Sequence, residues 1–337
     1  MDVKLARRKT WIQLAIAVCL AAAMPLAFPS LAQAQSPSDR DPAVVIPDQA
    51  IPAQPADGPA RRQLGNVPDN VGAQLAESDR QVDSLFAVGP LTPLHRIWER
   101  ASDNLRDSWG LDLGFNYTAV YQGADTVFAG PREGSGGDLD FFGRWQPLAC
   151  DCCRQGAFVF SSESRHRYGE ISPNELNTGT MGGTIVSFGR QDFALVEAYW
   201  EQGSPDDGML ARLGKMDPAL IYDGGRYVSS NYAFLSPAFS DTLPMPLPGA
   251  GLGVAAAIYP SEECYLVAGV HDANGRRTTA GFDTFFGEGE YFTAVEAGLT
   301  PNFGQPGAGG YHITFWSVDP RQNAGRASDR GFALTME

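Results

Sequence analysis

From Leu111 to the C-terminus the apolar residues recur at every second position. That period constrains the fold most, because successive side chains alternate between the two faces of a strand. Leu111, Leu113, Phe115, Tyr117, Ala119 and Tyr121 share one face, while Asp112, Gly114, Asn116, Thr118 and Gln122 share the other. In the next run Leu139, Phe141 and Trp145 oppose Asp140, Arg144 and Gln146. Further runs cover about 156–166, 191–202, 209–216, 250–259, 263–273, 290–300, 310–319 and 331–337. Ala194, Val196, Ala198 and Trp200 read as one face against Glu197 and Glu201. Leu252, Val254, Ala256 and Ile258 make a continuous apolar face, and Tyr291, Val295, Ala297 and Leu299 oppose Glu296. Ten strands are predicted, several near the roughly 9–11 residues with which a tilted strand crosses a bilayer.

The connections sort by parity. Those after the second, fourth, sixth and eighth runs are short (147–155, 203–208, 260–262 and 301–309). Those after the odd runs are mostly longer: 123–137, 167–190, 217–249, 274–289 and 320–330. Outer-membrane barrels alternate tight periplasmic turns with long external loops in this way, whereas a soluble sandwich has no reason to do so. Tyr121, Trp145, Trp200, Tyr259, Tyr291 and Tyr311 lie near strand ends, where interfacial girdles form. Composition agrees: 38 Gly and 24 Pro in 337 residues argue against a helical bundle. A formal charge of −14 argues against a nucleic-acid partner. The expected fold is all-β, an antiparallel transmembrane β-barrel over residues 110–337.

Residues 1–34 read as a secretory signal peptide. Lys4, Arg7, Arg8 and Lys9 form the basic region, Ile12 to Phe28 the apolar one, and Ala32-Gln33-Ala34 the cleavage site. Its removal takes away four basic residues and Asp2, leaving 21 Lys+Arg against 38 Asp+Glu, a charge of −17, with Lys215 as the one remaining lysine. Residues 35–90 read as a Pro-rich disordered linker, with seven prolines between 35 and about 70. An amphipathic helix is predicted over 91–109. Thr92 is its candidate cap and Pro93 its first helical residue; Leu94, Ile97, Trp98, Ala101 and Leu105 form its stripe, and Gly110 ends it.

Four stretches carry a family resemblance: Ser108 to Thr118 (SWGLDLGFNYT), Gly137 to Trp145 (GDLDFFGRW), Leu213 to Pro218 (LGKMDP), and the loop with Asn231 to Pro237 (NYAFLSP) closing on Pro246 to Gly253 (PLPGAGLG). In this order along the strands they resemble the carbohydrate-selective outer-membrane porins of the OprB family, over about residues 85–337. The resemblance implies passive, carbohydrate-favouring diffusion of small solutes through a water-filled channel in the bacterial outer membrane. No cofactor and no metal follow from it. Small sugars and outer-membrane lipid are the implied partners, nucleic acid is not, and a homo-oligomer is left open.

The candidate site follows from the same alternation. Arg144, Glu163, Arg165, Glu197, Glu201, Arg212 and Glu296 fall on inward positions, and Lys215 falls on the opposite parity to Arg212, near the rim. The resemblance implies that the long third loop folds inward, placing Asp217, Asp223, Arg226, Tyr227, Asn231, Tyr232 and Asp241 at a constriction. Such a channel handles neutral, hydroxyl-rich solutes through hydrogen-bonding groups and aromatic faces.

Cys150, Cys152 and Cys153 crowd one short turn, and Cys264 begins a strand on the same side. In an oxidising compartment these are disulfide candidates. Asp138 and Asp140 beside glycines are weak grounds for calcium, and His95, His166, His271 and His312 have no metal spacing. No nucleophile–base motif points to an enzyme. The rival reading is a secreted all-β carbohydrate-binding protein or hydrolase, for which Glu197 and Glu201 are the paired carboxylates. A further rival is a non-conducting, truncated porin remnant. Ten strands fall short of the roughly 16–18 of open channels. The final Glu337 also differs from the aromatic ending usual in such barrels, so the chain reads as lacking about six C-terminal strands.

Overall fold

The computed structural model describes residues 64, 67–78, 92–147, 156–179, 184–185, 187–225, 227–229, 231–236, 245–301 and 310–336. The residues read as a signal peptide, and most of the linker, lie outside this set. Ten strands run in chain order: β1 (Leu111–Gly123), β2 (Glu133–Trp145), β3 (Gly156–Arg167), β4 (Gln191–Ser204), β5 (Met209–Met216), β6 (Gly251–Ser261), β7 (Cys264–Asp272), β8 (Tyr291–Leu299), β9 (Tyr311–Val318) and β10 (Asp329–Met336). Each pairs antiparallel with its chain neighbours in the order β1 to β10. No ladder joins β1 to β10 among the described residues.

The sheet is inverted relative to a water-soluble protein. Phe115, Tyr121, Trp145, Phe193, Leu213, Val254, Val295, Phe315 and Phe332 all lie exposed on one face, with Phe193 at 71% and Phe332 at 68%. The opposite face buries Asp138, Glu163, Glu197, Arg212, His271, Glu296 and Thr314. A soluble monomer rarely leaves so continuous an apolar surface uncovered.

Two differences from the sequence pattern have physical causes. β2 begins at Glu133, earlier than its alternation shows, because Gly134, Gly136 and Gly137 carry no side chain to register a period yet pair with Gln122, Val120 and Ala119. The face written as Ala194, Val196, Ala198 and Trp200 is not one face. Ser161 pairs with Glu197 and Ser162 with Leu195, so Val196 is an extra residue, and the bulge reverses the parity. Ala194 and Val196 are therefore buried, while Phe193 and Leu195 join Trp200 on the exposed side.

Among the described residues two helices precede the wall. Within the stretch read as linker, residues 71–78 are not spacer: they form the helix α1 (Val71–Ser78). Asn70 caps it, its Oδ1 accepting from Gly72 N at 3.1 Å, and Val71 and Leu75, four apart, present one buried stripe. They belong to one apolar cluster with the inward-pointing Phe142, Val159 and Tyr199, so α1 rests on the inner face. Helix α2 (Thr92–Trp109) lies along β1 instead. Trp98 meets Phe115 edge-on at 4.9 Å, and Ser102 Oγ donates to the Leu113 carbonyl at 3.5 Å. Gly110 ends it in the left-handed region (φ 63°), where a Cβ would press within 2.5 Å of the Gln146 carbonyl oxygen.

Candidate functional site

The inner face gathers its charges into three centres. The first surrounds Glu163 on β3. Glu163 Oε1 accepts from Arg277 Nη1 at 2.9 Å and from Gln191 Nε2 at 2.7 Å, and Oε2 accepts from Arg165 Nη2 at 2.9 Å. Arg165 Nε also donates to Asp138 Oδ2 at 3.0 Å, and Arg277 Nη2 donates to Asp217 Oδ2 at 3.2 Å. Desolvation opposes the charge on Arg277, but Glu163 and Asp217 outweigh it and hold the guanidinium above its ordinary range. Oxygens of Asp138, Asp140 and Glu163 come within 4.8 Å of one another. Arg165 and Arg277 already bond Asp138 and Glu163, and Asn231 bonds Asp140, so the trio is part of an ion-pair knot, not a bare acidic pocket.

Arg277 comes from the β7–β8 connection, residues 273–290. Lys215 fastens the same connection, its Nζ donating to the Arg277 and Thr279 carbonyls at 2.7 and 2.6 Å. Lys215 shares parity with the exposed Leu213, yet it is buried, because this connection folds over the end of β5. It clamps a loop.

The second centre lies on β2 to β5. Glu201 Oε2 accepts from Arg212 Nε at 3.0 Å and its Oε1 from Arg144 Nη2 at 3.5 Å. The Arg212 guanidinium sits 4.9 Å from the Tyr199 ring centroid, a cation–π contact. Glu197 is buried and accepts from Ser161 Oγ at 3.5 Å.

The third centre joins the β5–β6 connection, residues 217–250, to the far strands. Asp223 Oδ1 meets His312 Nε2 at 2.8 Å and accepts from Thr335 Oγ1 at 2.5 Å. Glu296 Oε2 accepts from Asp223 N and from Thr314 Oγ1, both at 2.6 Å, and Oε1 accepts from Tyr265 OH at 2.8 Å. Asp223 is left-handed (φ 52°), which an aspartate tolerates better than most side chains. A Cβ at Gly298 would overlap the Tyr265 ring, so glycine there admits the phenol to Glu296.

The same connection reaches the near strands as well. Asn231 Nδ2 donates to Asp140 Oδ2 at 3.3 Å, and Asn116 Nδ2 on β1 donates to Tyr232 OH at 3.0 Å. Ser229 Oγ donates to Asp69 Oδ1 at 2.8 Å and accepts from Asn231 N and Tyr232 N, fastening the α1 segment to the loop. Burial pushes the Asp69 carboxyl up to about 6, against the Ser229 hydrogen bond and Arg277, which lower it. Burial likewise raises the Tyr232 phenol.

Of the residues singled out by sequence, Glu163, Arg165 and Asp217 meet in the first centre, and Arg144, Glu197, Glu201 and Arg212 in the second. Asp223 and Glu296 meet in the third. Tyr227 is exposed, with its ring 5.8 Å from that of Phe234. Arg226 and Asp241 lie outside the described residues, as do Cys150, Cys152 and Cys153. Cys264 forms no disulfide among the described residues. Sequence reasoning missed Arg277, His312, Thr335 and Asp69 as members of these centres. The first sits in a loop without periodicity. His312 and Thr335 hold inward parity on β9 and β10, and that parity was the usable signal.

No protein-family model and no curated protein matches the chain by sequence. In fold it is similar to the high-pH structure of OprB from Pseudomonas putida, with a TM-score of 0.55 and 11% identity, over 71% of this chain and 63% of that one. The low-pH structure of the same porin aligns at a TM-score of 0.38 and 9% identity, over 76% of this chain and 73% of that one. The chain thus spans under two thirds of the length of the OprB it matches at 0.55, and its ten-stranded antiparallel sheet is similar in fold to that porin structure.

Proposed function

We propose that the ten strands form the wall of a porin-type protein of the bacterial outer membrane, held closed by its own loops. The observation that carries this reading is the inverted sheet, apolar on its exposed face and charged on the other. Only lipid makes the first arrangement favourable, and only a wetted or internally paired interior makes the second so. Closure is argued from the interior. α1, the β5–β6 connection and Arg277 lie across the polar face, the first two joined by the Ser229–Asp69 hydrogen bond and Arg277 held by its ion pairs to Glu163 and Asp217. At rest the protein is a non-conducting relative of a sugar porin.

The role is passive, not catalytic. Glu201 is held between two arginines and Glu197 is buried, so the pair offers no open cleft to a glycosidic bond. Once the loops withdraw, carboxylates, guanidiniums and hydroxyls line the inner wall. Small neutral sugars are the solutes that such a wall and the likeness to OprB favour.

Planar-bilayer recording tests both halves. The full chain is expected to insert and remain silent, while Arg277→Ala yields ohmic steps that added glucose reduces. Open steps from the unaltered chain would overturn closure at rest. A chain that stays soluble without detergent would overturn the wall.

A further inference from the structure

The pairing of β3 with β4 breaks near the long-loop rim. Glu163 pairs with Ala194 and Arg165 with Gln191, so Asp192 and Phe193 oppose the single residue Ser164. This bulge opens a cleft of about 460 Å³ lined by Ser164 to Arg167 and Arg190 to Phe193. The cleft is basic in an otherwise acidic chain. Arg165 is turned inward to Asp138 and Glu163, but Arg167, Arg190 and His166 are exposed. Asp192 is the one carboxylate in the lining. Arg167 spends one Nη1 contact on the Glu170 carbonyl at 2.8 Å, and Arg190 has no ion pair among the described residues.

What lies beside the cleft identifies its occupant. Phe193, 71% exposed, and Leu195 carry the apolar face up to its edge. Tyr117 stacks on His166 at 5.7 Å, and Tyr168 meets that ring edge-on at 5.1 Å, so aromatics flank the basic group. A free anion needs only the arginines. Two exposed arginines that line the same cleft as Phe193, at the edge of the apolar face, match a molecule with an anionic head and hydrocarbon tails.

We propose that this cleft binds the phosphate headgroup of a membrane lipid, with Arg167 and Arg190 as the phosphate ligands and Phe193 and Leu195 against the acyl chains. The proposal rests on the reading of the exposed face as lipid-facing. It adds a fixed lipid site on the long-loop rim.

Native mass spectrometry of the full chain in detergent tests it, with phosphatidic acid, phosphatidylcholine of the same chain length, and inorganic phosphate as probes. The unaltered chain is expected to retain phosphatidic acid about tenfold over phosphatidylcholine, the worth of roughly one charge-assisted pair. The double variant R167Q/R190Q is expected to lose that preference. R276Q, an exposed arginine on another long loop, is expected to keep it and so serves as the control for folding. Equal retention of the two lipids, an unchanged preference in R167Q/R190Q, or displacement by equimolar inorganic phosphate would each overturn the lipid site. Flotation with phosphatidylcholine vesicles reads the wall separately. A chain that floats but shows no preference loses only the cleft, whereas one that fails to float loses the lipid-facing reading.

Discussion

Glu163 and Glu296 sit on the same polar face and are satisfied in opposite ways. Glu163 receives two guanidiniums and one amide, so its partners are mostly charged. Glu296 receives a backbone N–H, a threonine hydroxyl and a tyrosine hydroxyl, all neutral. Both carboxylates fasten a loop, the first through Arg277 and the second through Asp223. The contrast separates two ways of holding a loop inside a wall: by charge, which depends on the sign of the partner, and by donor geometry, which depends on shape.

The largest test removes the charged fastener. Arg277→Ala leaves Glu163 and Asp217 without their shared guanidinium. Breaking a buried pair costs about 3–5 kcal/mol, and the partial exposure of Arg277 places the loss near about 3 kcal/mol. Urea unfolding in detergent micelles measures it. A midpoint equal to that of the unaltered chain would show that charge does not hold this loop. Next, Glu163→Gln turns an amide NH2 against arginine donors and is expected to cost about 2 kcal/mol. Glu296→Gln keeps an acceptor for Asp223 N and Thr314 while the Tyr265 hydroxyl turns to accept, and is expected to cost under about 1 kcal/mol. Equal costs would erase the distinction.

A smaller effect concerns Asp69, whose carboxyl stands at about 6 against an ordinary 3.8. The folded state holds this proton where the unfolded chain has lost it. The contribution is therefore whole below about pH 4 and disappears as pH rises through 6. Amide exchange at residues 70–75, corrected for intrinsic rates, is expected to quicken between pH 4 and 7. Asp69→Asn is expected to flatten that dependence. The smallest effect is that of salt. Raising NaCl to about 1 M shortens the screening length to about 3 Å. It is expected to quicken exchange in residues 276–280 about twofold while leaving 221–225 unchanged.

Much of the wall was legible in the sequence, because strand parity is a one-dimensional property. Leu213 and Arg212 declare their opposite faces by being adjacent. The errors fall where the chain leaves that arithmetic. Val196 is an inserted residue that reverses parity, and Gly134, Gly136 and Gly137 have no side chain to show it. Lys215 keeps its outward parity yet ends buried, because a loop sixty residues later lies over it. Loop-borne members such as Arg277 carry no period, and their placement depends on the carboxylates they meet. α1 was hidden by the prolines before it, although Asn70 with Val71 and Leu75 is a local helix start.

One loop touches both margins of the sheet. Asp223 is held by Thr335 on β10 and Tyr232 by Asn116 on β1. Eight residues lie between the two contacts, and their nine steps span at most about 32 Å when fully stretched. The loop thus acts as a tie-rod that limits how far the first and last strands can spread. Width in this fold can then be altered by lengthening or shortening 224–231 alone, with every strand sequence left untouched.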